Sequence, residues 1–308
     1  MTRRALLAVL LTAPLLAHAA GPLRDRIAER MAERAANDME EGEAGPASAL
    51  PAGVRLLANQ SYGNDPRQRY DVYLPAHAER APVIFMVHGG AWRVGDKANA
   101  PVVQNKVARW ATRGIIVVSI NYRMLPSASV AIQAEDVASA LSAAQARAAE
   151  WGGDSGKFVL MGHSAGAHLV ALLASSASAH GAAPWLGTVA LDSAAMDVPG
   201  LMNQRHFPLY DQAFGSDAAY WSTVSPLAQL KAGGKPLLLV CSSRRKDSCP
   251  QADAYASQAR ALGISVQVLP QDQTHGQINQ TLGQPGAYTD AVERFLTSLD
   301  PALATRLL

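Results

Sequence analysis

The 308-residue chain predicts an α/β fold: a mostly parallel central sheet with helices on both faces and a small cap-like insertion. Three observations carry this expectation. Short apolar, β-branched runs alternate with helical patterns from about Val54 onward, as a parallel sheet joined by crossover helices requires. Runs such as Pro82-Val-Ile-Phe-Met-Val87 and Ile115–Ile120 show no polar alternation, which fits strands covered on both faces. A pentapeptide, Gly162-His-Ser-Ala-Gly166, lies between a strand pattern and a helix pattern, where the chain must turn sharply.

The chain opens on Met1-Thr-Arg-Arg4, a positive stretch, followed by a short apolar core from Ala5 to Leu16 and the small-residue signal Ala17-His18-Ala19. This order predicts an export signal over residues 1–19, cleaved after Ala19. The apolar run is short for a bilayer span. The mature chain is therefore expected to be periplasmic or secreted, without a stable membrane anchor. Residues 20–53 read as a charged arm and linker. Leu23, Ile27 and Met31 recur at helical spacing, and Glu40 to Pro51 is rich in Gly, Pro and small residues. Residues 54–308 form the main domain.

Within that domain, Val54–Gln60 and Arg69–Leu74 read as early antiparallel strands, followed by strands at Pro82–Val87 and Ile115–Ile120. Val130–Trp151 is a long Ala-rich helical pattern. Lys157–Met161 is the strand before the pentapeptide, and Ala167–Ala174 the helix after it. Further strands are expected at Trp185–Leu191, Lys235–Cys241 and Ile264–Pro270, with a helix over Gln251–Leu262. The stretch from about 197 to 230 is an insertion carrying His206, Phe207, Tyr210, Phe214, Tyr220 and Trp221. Its aromatics can pack on the sheet edge or line a pocket.

Bulk properties exclude several classes. Twenty-seven basic against 25 acidic residues give a net charge of +2, no case for a nucleic-acid partner. No zinc-type Cys/His spacing, Walker-type loop or cofactor motif is present, so neither metal nor cofactor is expected.

The chemistry concentrates in two motifs. In Gly162-His163-Ser164-Ala165-Gly166, the glycines remove side chains that would collide in a tight strand–turn–helix, leaving the Ser164 hydroxyl exposed as a nucleophile. Upstream, His88-Gly89-Gly90-Ala91-Trp92 follows the Pro82–Val87 strand pattern. A His-Gly-Gly there can turn backbone N–H groups toward an oxyanion. Gly90, Ala91 and Ala165 are the expected donors.

Together these motifs resemble the α/β-hydrolase esterases and lipases with HGG-type oxyanion loops, in particular carboxylesterases and feruloyl-esterase-like proteins, and also the arylformamidases. The resemblance runs from about Val54 to Leu299. Hormone-sensitive-lipase-type esterases usually carry a third glycine where this chain has Ala91, which departs from that subgroup. The resemblance implies an α/β-hydrolase fold, a small-molecule ester substrate and a Ser, Asp, His order of catalytic residues. His275 lies after the last strand pattern, where such proteins place the base, whereas His206 precedes the last two strands and His168 and His180 lie close to Ser164 in sequence. The acid should follow the Lys235–Cys241 strand, and Asp247, shortly before Pro250, fits. Asp253 and Asp272 are its rivals. The expected activity is ester hydrolysis through an acyl-enzyme, with a formamidase or amidase, or a non-catalytic binding protein on the same scaffold, as alternatives.

The only two cysteines, Cys241 and Cys249, flank the loop that holds Asp247. In an exported protein an even cysteine count predicts a disulfide between them.

Overall fold

The computed structural model describes residues 45–47, 49–176 and 182–308. The expected export signal and most of the charged arm, residues 20–44 and 48, lie outside the described residues. The sheet has eight strands: β1 (Arg55–Ser61), β2 (Arg69–Leu74), β3 (Ala81–Val87), β4 (Ile116–Ile120), β5 (Gly153–His163), β6 (Gly187–Leu191), β7 (Leu237–Ser242) and β8 (Val266–Gln271). Their spatial order is β1-β2-β4-β3-β5-β6-β7-β8. β1 runs antiparallel to β2, and β2 to β4; every other pairing is parallel.

The two-residue period of a strand divides the apolar runs between two cores. Val83, Phe85 and Val87 of β3 join Ile116, Val118 and Ile120 of β4 on one face. There they meet α2 (Val130–Arg147) through Val137, Leu141 and Ala144. Ile84 and Met86 join Val117 on the other face, against α1 (Ala100–Trp110) and against Val292, Phe295 and Leu296 near the C-terminus. A run buried on both faces has no reason to alternate, which is why these strands read as continuously apolar.

α1 was absent from the sequence expectations, although it carries a signal. Pro101 sits in its first turn, and Val103, Val107 and Trp110 repeat at helical spacing on its buried side. The helix expected over Val130–Trp151 closes as a 3₁₀ turn, Ala148–Trp151, and stops at Gly152 in the left-handed region (φ 73°). A Cβ there would lie 2.2 Å from the Ala78 carbonyl oxygen, so only glycine fits. α3 (Ala165–Ser175) follows the pentapeptide. The insertion folds into three short helices: α4 (Val198–Met202), α5 (Pro208–Phe214) and α6 (Ala218–Thr223). Asp197 and Asp217 cap the first and third by accepting from Gly200 and Ala219 N–H. α7 (Ser248–Ala261) starts earlier than expected, so Pro250 lies in its first turn, where no intrahelical N–H is required. It packs on β7 through Ala252, Tyr255, Ala256 and Ala259.

Candidate active site

The carboxyl ends of four adjacent strands, β5 to β8, converge on one site. Ser164 follows β5 directly and sits in the left-handed region (φ 53°, ψ −118°), costly for a residue with a Cβ. The surroundings over-determine that conformation. Ser164 N–H donates to Leu191 O at the end of β6 (3.0 Å). A Cβ on Gly162 would stand 2.3 Å from Gly166 O, and one on Gly166 would stand 2.2 Å from Val87 O. A Cβ on Gly89 would meet Ser164 Cβ at 2.9 Å, so this glycine lets the two loops touch.

The loop after β3 is equally constrained. Gly90, Ala91 and Trp92 all have positive φ (106°, 51° and 59°). The Gly90 carbonyl accepts from Arg93 and Val94 N–H, each at 3.0 Å. His88 is buried, stacks on Tyr122 with ring centroids 4.5 Å apart, and places Nδ1 2.7 Å from Gly89 O. Trp92 is buried against Phe214 and Tyr210 of α5, with centroids at 5.0 and 6.1 Å. Its indole N–H donates to His168 Nδ1 (3.3 Å), while His168 Nε2–H donates to Val224 O (2.7 Å). Burial pushes the His168 imidazole down to about 4, partly offset by that Val224 bond, so His168 is neutral at pH 7. The insertion aromatics thus do both things the sequence allowed: Phe214 is core, and Tyr210 lines the cleft beside Ser164. That cleft encloses about 20 Å³ and is also bordered by Ala91, Trp92, Ala165 and Leu209.

His275 opens the short helix α8 (His275–Gln280), capped by Thr274, whose side chain and that of Gln277 satisfy each other's backbone N–H groups. His163, the second residue of the pentapeptide, donates from Nε2 to the His275 carbonyl (3.0 Å), with ring centroids 4.4 Å apart. One side chain therefore ties the serine turn to the histidine loop.

The carboxylate facing His275 is not the one that the sequence suggested. Asp192, not Asp247, stands against His275, with Oδ2 2.5 Å from Nδ1. Asp192 is the residue after β6, itself in the left-handed region (φ 58°), which Asp tolerates better than most residues. Its N–H donates to Val240 O (2.8 Å). Its Oδ1 accepts from Ser242 N–H (2.7 Å) and Ser248 O–H, and its Oδ2 from Arg245 Nη1 (2.8 Å). Burial, the largest single influence, favours the neutral acid. The Arg245 charge, together with the His275 and Ser248 bonds, outweighs it and holds the Asp192 carboxyl far below its ordinary range. Asp247 instead precedes α7 and faces Arg245, its Oδ1 3.5 Å from Nε. The rivals fall elsewhere: Asp272 pairs with Arg244 at 2.7 Å, and Asp253 is exposed on α7. His206 pairs with Asp211 inside the insertion.

Asp192 follows β6, whereas the resemblance points to a carboxylate after the next strand, β7. The available signal was an Asp ending the apolar strand after the serine helix, on the sheet neighbour of β5. The expected disulfide is present: Cys241 and Cys249 are bonded.

Residues 70–207 match the family model BD-FAE. A probable isoprenylcysteine α-carbonyl methylesterase of Oryza sativa subsp. japonica is 36% identical over 118 residues, 38% of this chain and 28% of that protein. The carboxylesterase NlhH of Mycobacterium tuberculosis is 26% identical over 251 residues, 74% of this chain and 76% of its own. The chain thus spans about a quarter of the length of the plant proteins it matches. Among solved structures, a truncated carbohydrate esterase from gut microbiota superposes with a TM-score of 0.69 at 17% identity, covering 82% of this chain and 99% of that one. The chain has the α/β-hydrolase fold.

In an α/β-hydrolase, ligands meet the sheet at the carboxyl ends of its strands, and all the groups described above lie there. A serine on a strained turn, an imidazole held by a buried anion and a glycine-rich loop of fixed backbone are the parts that acyl transfer requires.

Proposed function

We propose that the protein is an exported serine hydrolase that cleaves carboxylic esters through an acyl-enzyme, with Ser164, His275 and Asp192 as its triad. The observation that carries this reading is the delivery of Ser164 and the His275–Asp192 pair by neighbouring strand ends. With Nδ1–H donated to Asp192, His275 Nε2 is the basic nitrogen. His275 takes the Ser164 proton as Oγ attacks the acyl carbon. The tetrahedral oxyanion forms against the N–H groups of Gly90, Ala91 and Ala165, and the alcohol leaves with the proton from His275. Water, deprotonated by the same imidazole, then releases the acid. Asp192 balances the imidazolium in both halves.

The esterases among the sequence relatives support the reaction class. The closeness of Trp92, Leu209 and Tyr210 to Ser164, which leaves a narrow cleft, supports a small acyl group. The residue 1–19 pattern supports export. An intact mass beginning at Ala20 from cell-envelope or culture fractions tests that point, and an uncleaved mass there refutes it.

A fluorophosphonate probe should label Ser164 alone. Ser164→Ala should lower kcat by roughly 10⁴-fold or more, and Asp192→Asn by about 10⁴-fold, because the amide no longer fixes the tautomer or balances the imidazolium. Near-normal turnover by Ser164→Ala, or probe attachment at another residue, overturns the reading.

A further inference from the structure

Three of the four side-chain hydrogen bonds at Asp192 come from a single loop. Ser242 N–H and Ser248 O–H bind Oδ1, and Arg245 Nη1 binds Oδ2; the fourth bond is that of His275. Residues 242–248 are the segment between Cys241 and Cys249, which are joined by the disulfide. The loop also reaches the histidine side. Ser242 O–H donates to Gln273 O (2.6 Å), and Ser243 N–H to Gln271 O (2.9 Å). Arg245 Nη1 stands 2.7 Å from His275 Nδ1, and its Nε faces Asp247.

A carboxylate held only by one imidazole can rotate about its last torsion and is readily protonated when buried. Donors on Oδ1 fix the carboxylate plane so that Oδ2 points at His275. A guanidinium on Oδ2 keeps the group ionised. It also places a positive charge beside the imidazole, which opposes imidazolium formation away from turnover.

We propose that the cystine-closed loop 242–248 is the positioning device for the catalytic acid: Arg245, with Ser242 and Ser248, orients Asp192, Asp247 holds Arg245, and the Cys241–Cys249 bond keeps these donors in register. The role assigned to Asp192 rests on the proposed triad. Asp247, which the sequence suggested as the acid, acts through Arg245 without touching the base. A consequence is that turnover depends on the oxidation state of a cystine that lies outside the proposed triad.

The test uses the full chain. Arg245 also borders the Ser164 cleft, so Arg245→Gln should lower kcat for p-nitrophenyl acetate about 10²-fold, a larger change than that in KM. The His275 imidazole titration, followed by NMR, should move up by about one unit when the neighbouring cation is removed, and Arg245→Lys should restore part of that shift. Reduction by a phosphine, or Cys241→Ser with Cys249→Ser, should lower kcat roughly tenfold, and in the Arg245→Gln background should add little, because both act through one group. An unmoved titration in Arg245→Gln overturns the proposal. So does full turnover by the double serine variant, or a full additional loss from cystine removal on top of Arg245→Gln. The titration needs no turnover. A wild type inactive on esters but with the expected titration shift would refute the proposed function and leave the loop's role standing.

Discussion

His168 offers a direct reading of how the loop after β3 is held. The perturbation is acid, and the control is His168→Gln, whose amide keeps the donor to Val224 O but does not titrate. Burial lowers the His168 imidazole from 6.5 to about 4. Between those values the unfolded chain binds a proton that the folded one refuses, so stability rises with pH across the window. The contribution of His168 is fully present above about pH 6.5 and is lost as pH falls toward 4. At roughly 1.4 kcal/mol per unit, this amounts to about 3 kcal/mol, with no discount for exposure because the ring is fully buried. Urea unfolding at pH 7, 6, 5 and 4.5 measures it. The wild type should lose about 2 kcal/mol more than His168→Gln between pH 7 and 4.5. Glu293 and Asp192 have depressed carboxyl groups and lose stability below their unfolded values of 4.5 and 3.8, but both variants share them. Parallel stability–pH curves for the two proteins would refute the account. Protonated Nδ1 cannot accept from the Trp92 indole, but the folded imidazole takes up its proton only near pH 4, so the Trp92–His168 contact should persist through the window and be lost as pH falls through about 4.

Other outcomes follow from the same geometry. Asp247→Asn should lower kcat about tenfold, far less than Asp192→Asn, since its carboxylate reaches the base only through Arg245; equal losses in steady-state kinetics would restore Asp247 as a candidate acid. Gly166→Ala should prevent folding or lower the melting temperature sharply, because its Cβ would overlap the Val87 carbonyl oxygen at 2.2 Å; a melting temperature near wild type would show that the turn can open. Across p-nitrophenyl esters, kcat/KM should fall from acetate to octanoate, and Tyr210→Ala should flatten that series by enlarging the cleft; an octanoate preference in the wild type would contradict the small acyl site.

The parts legible in the sequence were those whose physics is local. Gly162 and Gly166 are demanded by a turn five residues long, and the continuous apolar runs of β3 and β4 by burial on two faces. His275 could be placed because it follows the last strand pattern. The carboxylate that faces His275 could not be read the same way. Asp192 and Asp247 both follow strand patterns of similar quality. What separates them is sheet adjacency and a loop that donates to one carboxylate while its own Asp faces away toward Arg245. Those are long-range relations, 83 residues between His275 and Asp192, which no short motif encodes. The helix Ala100–Trp110 was missed for a different reason: its apolar side is interrupted by Lys106, a buried cation whose Nζ donates to Asn279 (2.8 Å to Oδ1) and to backbone carbonyls, so it occupies a core position that a polarity pattern assigns to solvent.

The hydrogen bond from His163 to the His275 carbonyl joins segments 112 residues apart through one of the two positions of the pentapeptide that the motif leaves unspecified. A transplant of the site into another scaffold that copied only the three side chains of the proposed triad would omit it. The serine turn and the histidine loop would then be free to drift separately, each well formed and the pair out of alignment. Transferring the geometry means moving His163 with Ser164, as a unit whose second member is the proposed nucleophile and whose first keeps the distance.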